Sequence, residues 1–142
     1  MEFVAMRLKF MIPVILILFG LIGGTFSMPY PANAIDWTGK WCNELGSSMS
    51  ITSSAADKVI GTYVNRAPGY CAQPTESFPL IGSTNDEFIT FAVNWGRCQS
   101  LTSWVGNYND VTEEIIAPWK LIYNSYSGVE TMEGSDTFHK CP

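Results

Sequence analysis

Beyond residue 35 the chain changes character every few residues. Short runs rich in β-branched and aromatic side chains alternate with clusters of Gly, Pro, Asn, Asp and Ser, and no long stretch keeps a 3.6-residue apolar period. The runs fall at 37–45, 48–52, 59–64, 78–81, 88–95, 101–105, 112–119 continuing as 121–123, and from about 131 to 139. The breakers fall at 53–57, 65–74, 83–87, 96–99, 106–110, 124–128 and 133–135. Eight strand-like segments separated by turn signals predict an all-β sandwich or barrel. Short consecutive connections favour an up-and-down antiparallel order, and closing that order removes the unpaired edges. The expected fold is therefore an all-β, eight-stranded antiparallel up-and-down β-barrel. A barrel of that size holds one small ligand in its mouth.

The phase of the strands says what such a barrel would enclose. At a period of two, Trp41, Asn43, Leu45 and Ser47 share a face, with Cys42, Glu44 and Gly46 opposite. The same mixture recurs. Phe91, Val93 and Trp95 are in phase, as are Ser100, Thr102 and Trp104, then Trp119 and Leu121, and Tyr63 with Asn65. Four indoles (Trp41, Trp95, Trp104 and Trp119) and several small polar groups are thus able to point into one barrel. A dry core would omit the polar groups, because an unpaired buried amide or hydroxyl costs about 1–3 kcal/mol. A solvent face would omit the indoles. The pattern predicts a ligand pocket with fixed hydrogen-bonding groups. In the opposite phase Leu101, Val105 and Ile122 face outward and leave apolar surface for a partner subunit.

The first residues read differently. Arg7 and Lys9 precede an apolar run from Phe10 to Phe26, followed by Pro31-Ala-Asn-Ala34. This is the n-region, h-region and A-x-A site of a secretory signal peptide. Cleavage after Ala34 would leave residues 35–142 as one domain, secreted or periplasmic and with no membrane attachment. The chain carries 13 acidic and 8 basic residues, net −5, and the leader removes more basic than acidic charge. An acidic surface without a basic run excludes nucleic acid as a natural partner. Cys42, Cys71, Cys98 and Cys141 all lie after the leader. An even count in an exported domain predicts two disulfides, with three pairings open. With one His and no Cys-x-x-Cys, no metal site is expected. No catalytic constellation is visible either. His139 stands alone near the chain end, and Glu113-Glu114 has no partner at catalytic spacing.

Several pieces together resemble the avidins and streptavidins. They are Trp37-Thr-Gly-Lys-Trp-Cys-Asn-Glu-Leu-Gly-Ser-Ser-Met-Ser-Ile51, Gly61-Thr-Tyr-Val64, Pro79-Leu-Ile-Gly82, Phe91-Ala-Val-Asn-Trp95, Ser100-Leu-Thr-Ser-Trp104 with Gly106, Trp119-Lys-Leu121, and Gly134-Ser-Asp-Thr-Phe138. Each is weak alone, and the ordered set covers nearly all of residues 35–142. Tyr63-Val-Asn-Arg-Ala67, followed by Cys71 and later Cys98, is most similar to the dimeric bacterial avidins such as rhizavidin.

The resemblance implies high-affinity, non-covalent binding of biotin as a ligand, with no turnover and no cofactor. It implies that Asn43, Ser47 and Tyr63 donate to the ureido oxygen, and that Asp136 and Asn65 accept from the ureido N–H groups. Asn65 stands where Ser is commoner. Thr102 is implied beside the ring sulfur, Ser100 beside the carboxylate, and Arg66 and Ala67 in a loop that closes over it. Trp95, Trp104, Trp119, Leu45 and Leu121 are implied as the apolar box. The subgroup implies a Cys71–Cys98 disulfide, which leaves Cys42–Cys141. The position from which tetrameric avidins lend a Trp to a neighbour is Gly128 here. That implies a pocket completed within one subunit, and a homodimer. Gly39-Lys-Trp41 also fits the Gly-x-Trp of lipocalins and of small secreted protease-inhibitor barrels. A lipocalin-like carrier of a small apolar ligand is the rival expectation.

Overall fold

In the computed structural model, residues 35–54, 57–68 and 71–142 are described, and the proposed leader lies outside them. The described residues form eight strands, β1 (Gly39–Asn43), β2 (Ser48–Ser53), β3 (Lys58–Val64), β4 (Ser77–Asn85), β5 (Phe88–Asn94), β6 (Ser100–Asn109), β7 (Glu114–Ser125) and β8 (Gly128–Lys140). Each pairs antiparallel with the next, and β8 returns to β1 to close the barrel. The expected architecture is the observed one.

Several boundaries differ from expectation, each for a local reason. The first strand stops at Asn43 rather than reaching residue 45, because the Asn43 side chain folds the chain back. Its Oδ1 accepts from the Leu45 and Ser47 backbone N–H groups at 3.2 and 2.8 Å, and Gly46 takes φ +79°. β4 runs on to Asn85, through residues whose composition suggests a turn. The turn is only Asp86-Glu87, with Asp86 at φ 51°, and Asn85 pairs directly with Phe88. β7 passes through Pro118 without a break. Its ladder to β6 skips from Trp104–Trp119 to Asn107–Ile116, so the missing proline N–H falls where no ladder bond is made. Residues 133–135 also suggest a turn but continue β8 without a bend, with Glu133 and Ser135 on its solvent face, where Glu133 meets Lys120 of β7 at 2.7 Å.

Side chains alternate as the period of two requires, and the inward set is the core. One end is filled. Trp37, Trp41 and Tyr108 pack there with ring centroids 6.0–6.4 Å apart. The Lys140 ammonium covers the outside of this plug, 4.1 Å from the Trp41 ring centre. Trp41 therefore points inward as its phase predicts, but at the closed end, far from any mouth. Phe91, Phe138, Met49 and Leu80 fill the middle.

The four connections at the other end are the β1–β2 turn, the β3–β4 loop, the β5–β6 turn and the β7–β8 hairpin. The Cys71–Cys98 disulfide ties the second of these to the third. Cys42–Cys141 crosses the β1–β8 seam, beside a hydrogen bond from the Cys141 N–H to the Lys40 carbonyl at 3.0 Å. Both pairings are those implied by the resemblance.

Candidate functional site

The open end of the barrel contains a cavity of about 250 Å³. Its walls combine three indoles, Trp95, Trp104 and Trp119, with Asn43, Ser47, Tyr63, Asn65, Thr102 and Asp136. Leu45, Ala67, Pro68 and Met132 complete the lining. The volume is near the small end of the roughly 300–1,000 Å³ typical of ligand pockets. This is a site for one small molecule.

Rigid aromatic packing holds the walls. Tyr63 stacks on Trp104 with centroids 5.1 Å apart, and Phe91 stacks on the same indole at 4.8 Å. Trp95 is pinned edge-on by Phe78 at 5.1 Å and Tyr63 at 5.7 Å. Such contacts leave the indoles few alternative rotamers, so the cavity is formed before a ligand arrives.

Asp136 lies at the floor, 7% exposed. Its Oδ2 accepts from Trp104 Nε1 at 2.8 Å, and the polar groups of Asn43 and Trp119 face the carboxylate. Burial raises its pKa above the ordinary value of 3.8, and the nearby charge of Glu44 acts in the same direction. The Trp104 hydrogen bond, with smaller help from Asn43 and Trp119, opposes both.

The sign of the consequence follows from proton counting. Between the unfolded and the raised folded pKa, the folded chain keeps a proton that the unfolded chain has released. Ionised Asp136 therefore costs the ligand-free fold stability, and the cost is relieved as pH falls through the folded pKa. Denaturation midpoints of the parent and Asp136→Asn across that window isolate the effect. The parent gains on the variant as pH falls. A relative loss would mean that Asp136 titrates below its ordinary value. Glu130 behaves oppositely. Hydrogen bonds from Ser125, Ser127 and Tyr123 lower it to about 2, so its contribution fades as pH falls below 4.5, equally in both proteins.

The opposite wall is a chain of polar groups. Ser47 Oγ accepts from the Arg66 N–H at 2.8 Å and donates to Asn65 Oδ1 at 3.2 Å. Asn65 Oδ1 also accepts from the Ala67 N–H at 3.2 Å, so both of its lone pairs are engaged. If the Ser47 hydroxyl turns its proton to a ligand carbonyl, one Asn65 lone pair is released beside it. One rotation thus supplies a donor and an acceptor side by side. With the Asp136 acceptor, the set matches a C=O flanked by two N–H groups. Thr102 Oγ1 accepts from Trp95 Nε1 at 2.7 Å, which leaves its own proton for the cavity.

Among the residues singled out from the sequence, Asn43, Leu45, Ser47, Tyr63, Asn65, Ala67, Trp95, Thr102, Trp104, Trp119 and Asp136 line this cavity. Three others lie elsewhere. Leu121 is buried in the core cluster behind it. Arg66 has an exposed side chain and contributes its backbone N–H to Ser47. Ser100 borders a shallow groove beside the mouth with Gln99 and Tyr123. Sequence reasoning missed Pro68 and Met132. Met132 is in phase with Asp136, a signal hidden by reading 133–135 as a turn.

The Avidin family model matches residues 31–141. Afifavidin of Afifella pfennigii is 42% identical over 106 residues, which cover 69% of this chain and 65% of that protein. The chain thus spans about 65% of that relative's length. The crystal structure of a rhizavidin–biotin complex superposes with a TM-score of 0.69 at 37% identity, covering 74% of this chain and 92% of that one. The structure of a bradavidin2–biotin complex gives 0.68 at 30% identity, covering 73% and 96%. By the extent of the family match, this chain is a member of the avidin family.

Proposed function

We propose that this barrel binds free biotin non-covalently and does not turn it over. The observation that carries the proposal is the pairing of a switchable donor–acceptor pair, Ser47 and Asn65, with the buried Asp136 carboxylate in an indole-lined cavity. A cyclic urea presents the complementary edge. Asn43 Oδ1 is held by its own turn, so the amide nitrogen is the group left to serve a ligand carbonyl, with Ser47 and Tyr63. Thr102 faces the ring sulfur, and the loop carrying Arg66 and Ala67 lies over the carboxylate tail. Ser100 reaches that tail only where it emerges at the rim. The likeness to biotin complexes of rhizavidin and bradavidin2 supports the assignment. Among the described residues the one His, His139, is exposed on β8 opposite Cys42 and Glu114, outside the cavity lining. A calorimetric titration with biotin tests the proposal, with a fatty acid as the comparison. Heat from the fatty acid alone would favour a lipocalin-like carrier.

Residues 1–34 act as the export leader in this reading, and the domain is secreted or periplasmic, where both disulfides persist. The outward face of β6–β8 exposes Leu101 (43%), Ile122 (44%), Val105 (67%) and Val129 (67%). A second copy of the chain covers this face, as a homodimer. Light scattering on a sizing column is expected to give twice the chain mass, and a monomer at micromolar concentration would refute the dimer.

A further inference from the structure

Trp119 and Gly134 are direct cross-strand partners on β7 and β8. The indole does not stand up from the sheet beside Gly134. It lies across it. A Cβ placed on Gly134 would be 2.4 Å from Trp119 Cζ2, 2.7 Å from Cε2 and 3.1 Å from Cη2. Contacts below 3 Å are not tolerated, so the ring occupies the space that any other residue's side chain would fill. The other side of the same ring is cavity wall, between Met132 and Asp136 of the same inward row.

From this geometry we infer that Gly134 is a positioning residue for ligand binding, the seat that keeps the Trp119 indole flat against β8 and out of the cavity. Any side chain at 134 must displace something. β7 and β8 are locked by a continuous twelve-residue register on both sides of the pair, so the backbone is the stiffer party. The ring moves instead, and its open direction is the cavity. Ligand volume shrinks when it moves. The requirement is for space and not for backbone conformation, because Gly134 is absent from the residues with positive φ. Alanine is therefore compatible with the strand, and the effect of a methyl group reads the ring contact alone. Aromatic side chains covering a cross-strand glycine are a known stabilising device in sheets, but here the covering ring is also a binding surface.

The inference rests on the biotin reading for its binding readout but has a ligand-free readout as well. Gly134→Ala, Trp119→Phe and the double variant are compared with the parent. With Trp119 in place, Gly134→Ala is expected to speed biotin release by about 10- to 100-fold, as an overpacked wall residue would. On top of Trp119→Phe, where the smaller ring leaves room, the same substitution changes release by less than about 2-fold. An equal effect in both backgrounds would overturn the proposal, since it would show that Gly134 acts through the strand itself. Without ligand, Gly134→Ala shifts the tryptophan near-UV dichroism of the parent and leaves that of the Trp119→Phe variant unchanged. If the parent does not bind biotin, the functional reading fails, and this second measurement still decides the seat. An unchanged spectrum with Trp119 in place would refute it.

Discussion

Asp136→Ala is expected to weaken biotin binding by about three orders of magnitude while leaving the ligand-free barrel folded. Hydrogen bonds to a charged group are worth roughly 1.5–3 kcal/mol, and each buried donor left without a partner costs about 1–3 kcal/mol more. The variant removes the carboxylate that would accept a ureido N–H, and it strands Trp104 Nε1, which now donates to Oδ2 at 2.8 Å. Together these give about 2.5–6 kcal/mol, or roughly 10²- to 10⁴-fold in affinity. Stability behaves differently. In the ligand-free barrel Ala relieves the cost of a buried ionised group but also strands Trp104 Nε1, and the two offset, so the melting temperature is expected to change little. Competition binding with labelled biotin and a thermal melt check the two halves together. An affinity within about 10-fold of the parent would mean that the carboxylate does not face the ligand. A barrel that binds lipid would be almost indifferent to the change.

The second large effect concerns the disulfides, which are expected to separate by role. Cys42 and Cys141 are 99 residues apart in sequence, and Cys71 and Cys98 are 27 apart. Restricting the unfolded chain is worth about 4–5 kcal/mol for the longer loop and about 3–4 kcal/mol for the shorter on the chain-entropy account. Replacing Cys42 and Cys141 by Ala should therefore lower the denaturation midpoint more. Its effect on biotin release should be small, because that bridge lies on the outer surface of the β1–β8 seam. Replacing Cys71 and Cys98 is expected to do the reverse. It frees the β3–β4 loop, which carries Asn65, Ala67 and Pro68 at the cavity, from the turn that follows Trp95. Denaturation curves and biotin dissociation rates on both double variants test this. The same ranking in both measurements would contradict the separation.

Much of this was legible because a barrel obeys a period of two. Inward phase alone placed Trp95, Trp104, Thr102 and Tyr63 on the interior, Asp136 was reached only through the family resemblance, and the closing of β8 on β1 brought them together. Depth along the barrel is another matter. Alternation says which face a residue takes, not how far it lies from the mouth, and so Trp41 and Trp95 looked alike. Register decides that, and Trp41, paired with Lys140, belongs to the plug. Turns were misjudged where polar composition reflected solvent exposure and not a bend, as at residues 133–135. The two engaged lone pairs of Asn65 were also invisible beforehand, because they depend on how the chain turns at Arg66 and Ala67.

In this reading the cavity is shaped for a cyclic urea before the ligand arrives. The most direct test of that reading is calorimetric titration of the oxidised protein, freed of residues 1–34, with biotin. The account predicts one biotin per chain, an affinity too tight to fit directly, and a large rise in melting temperature from mass action. No heat and no thermal stabilisation would contradict it.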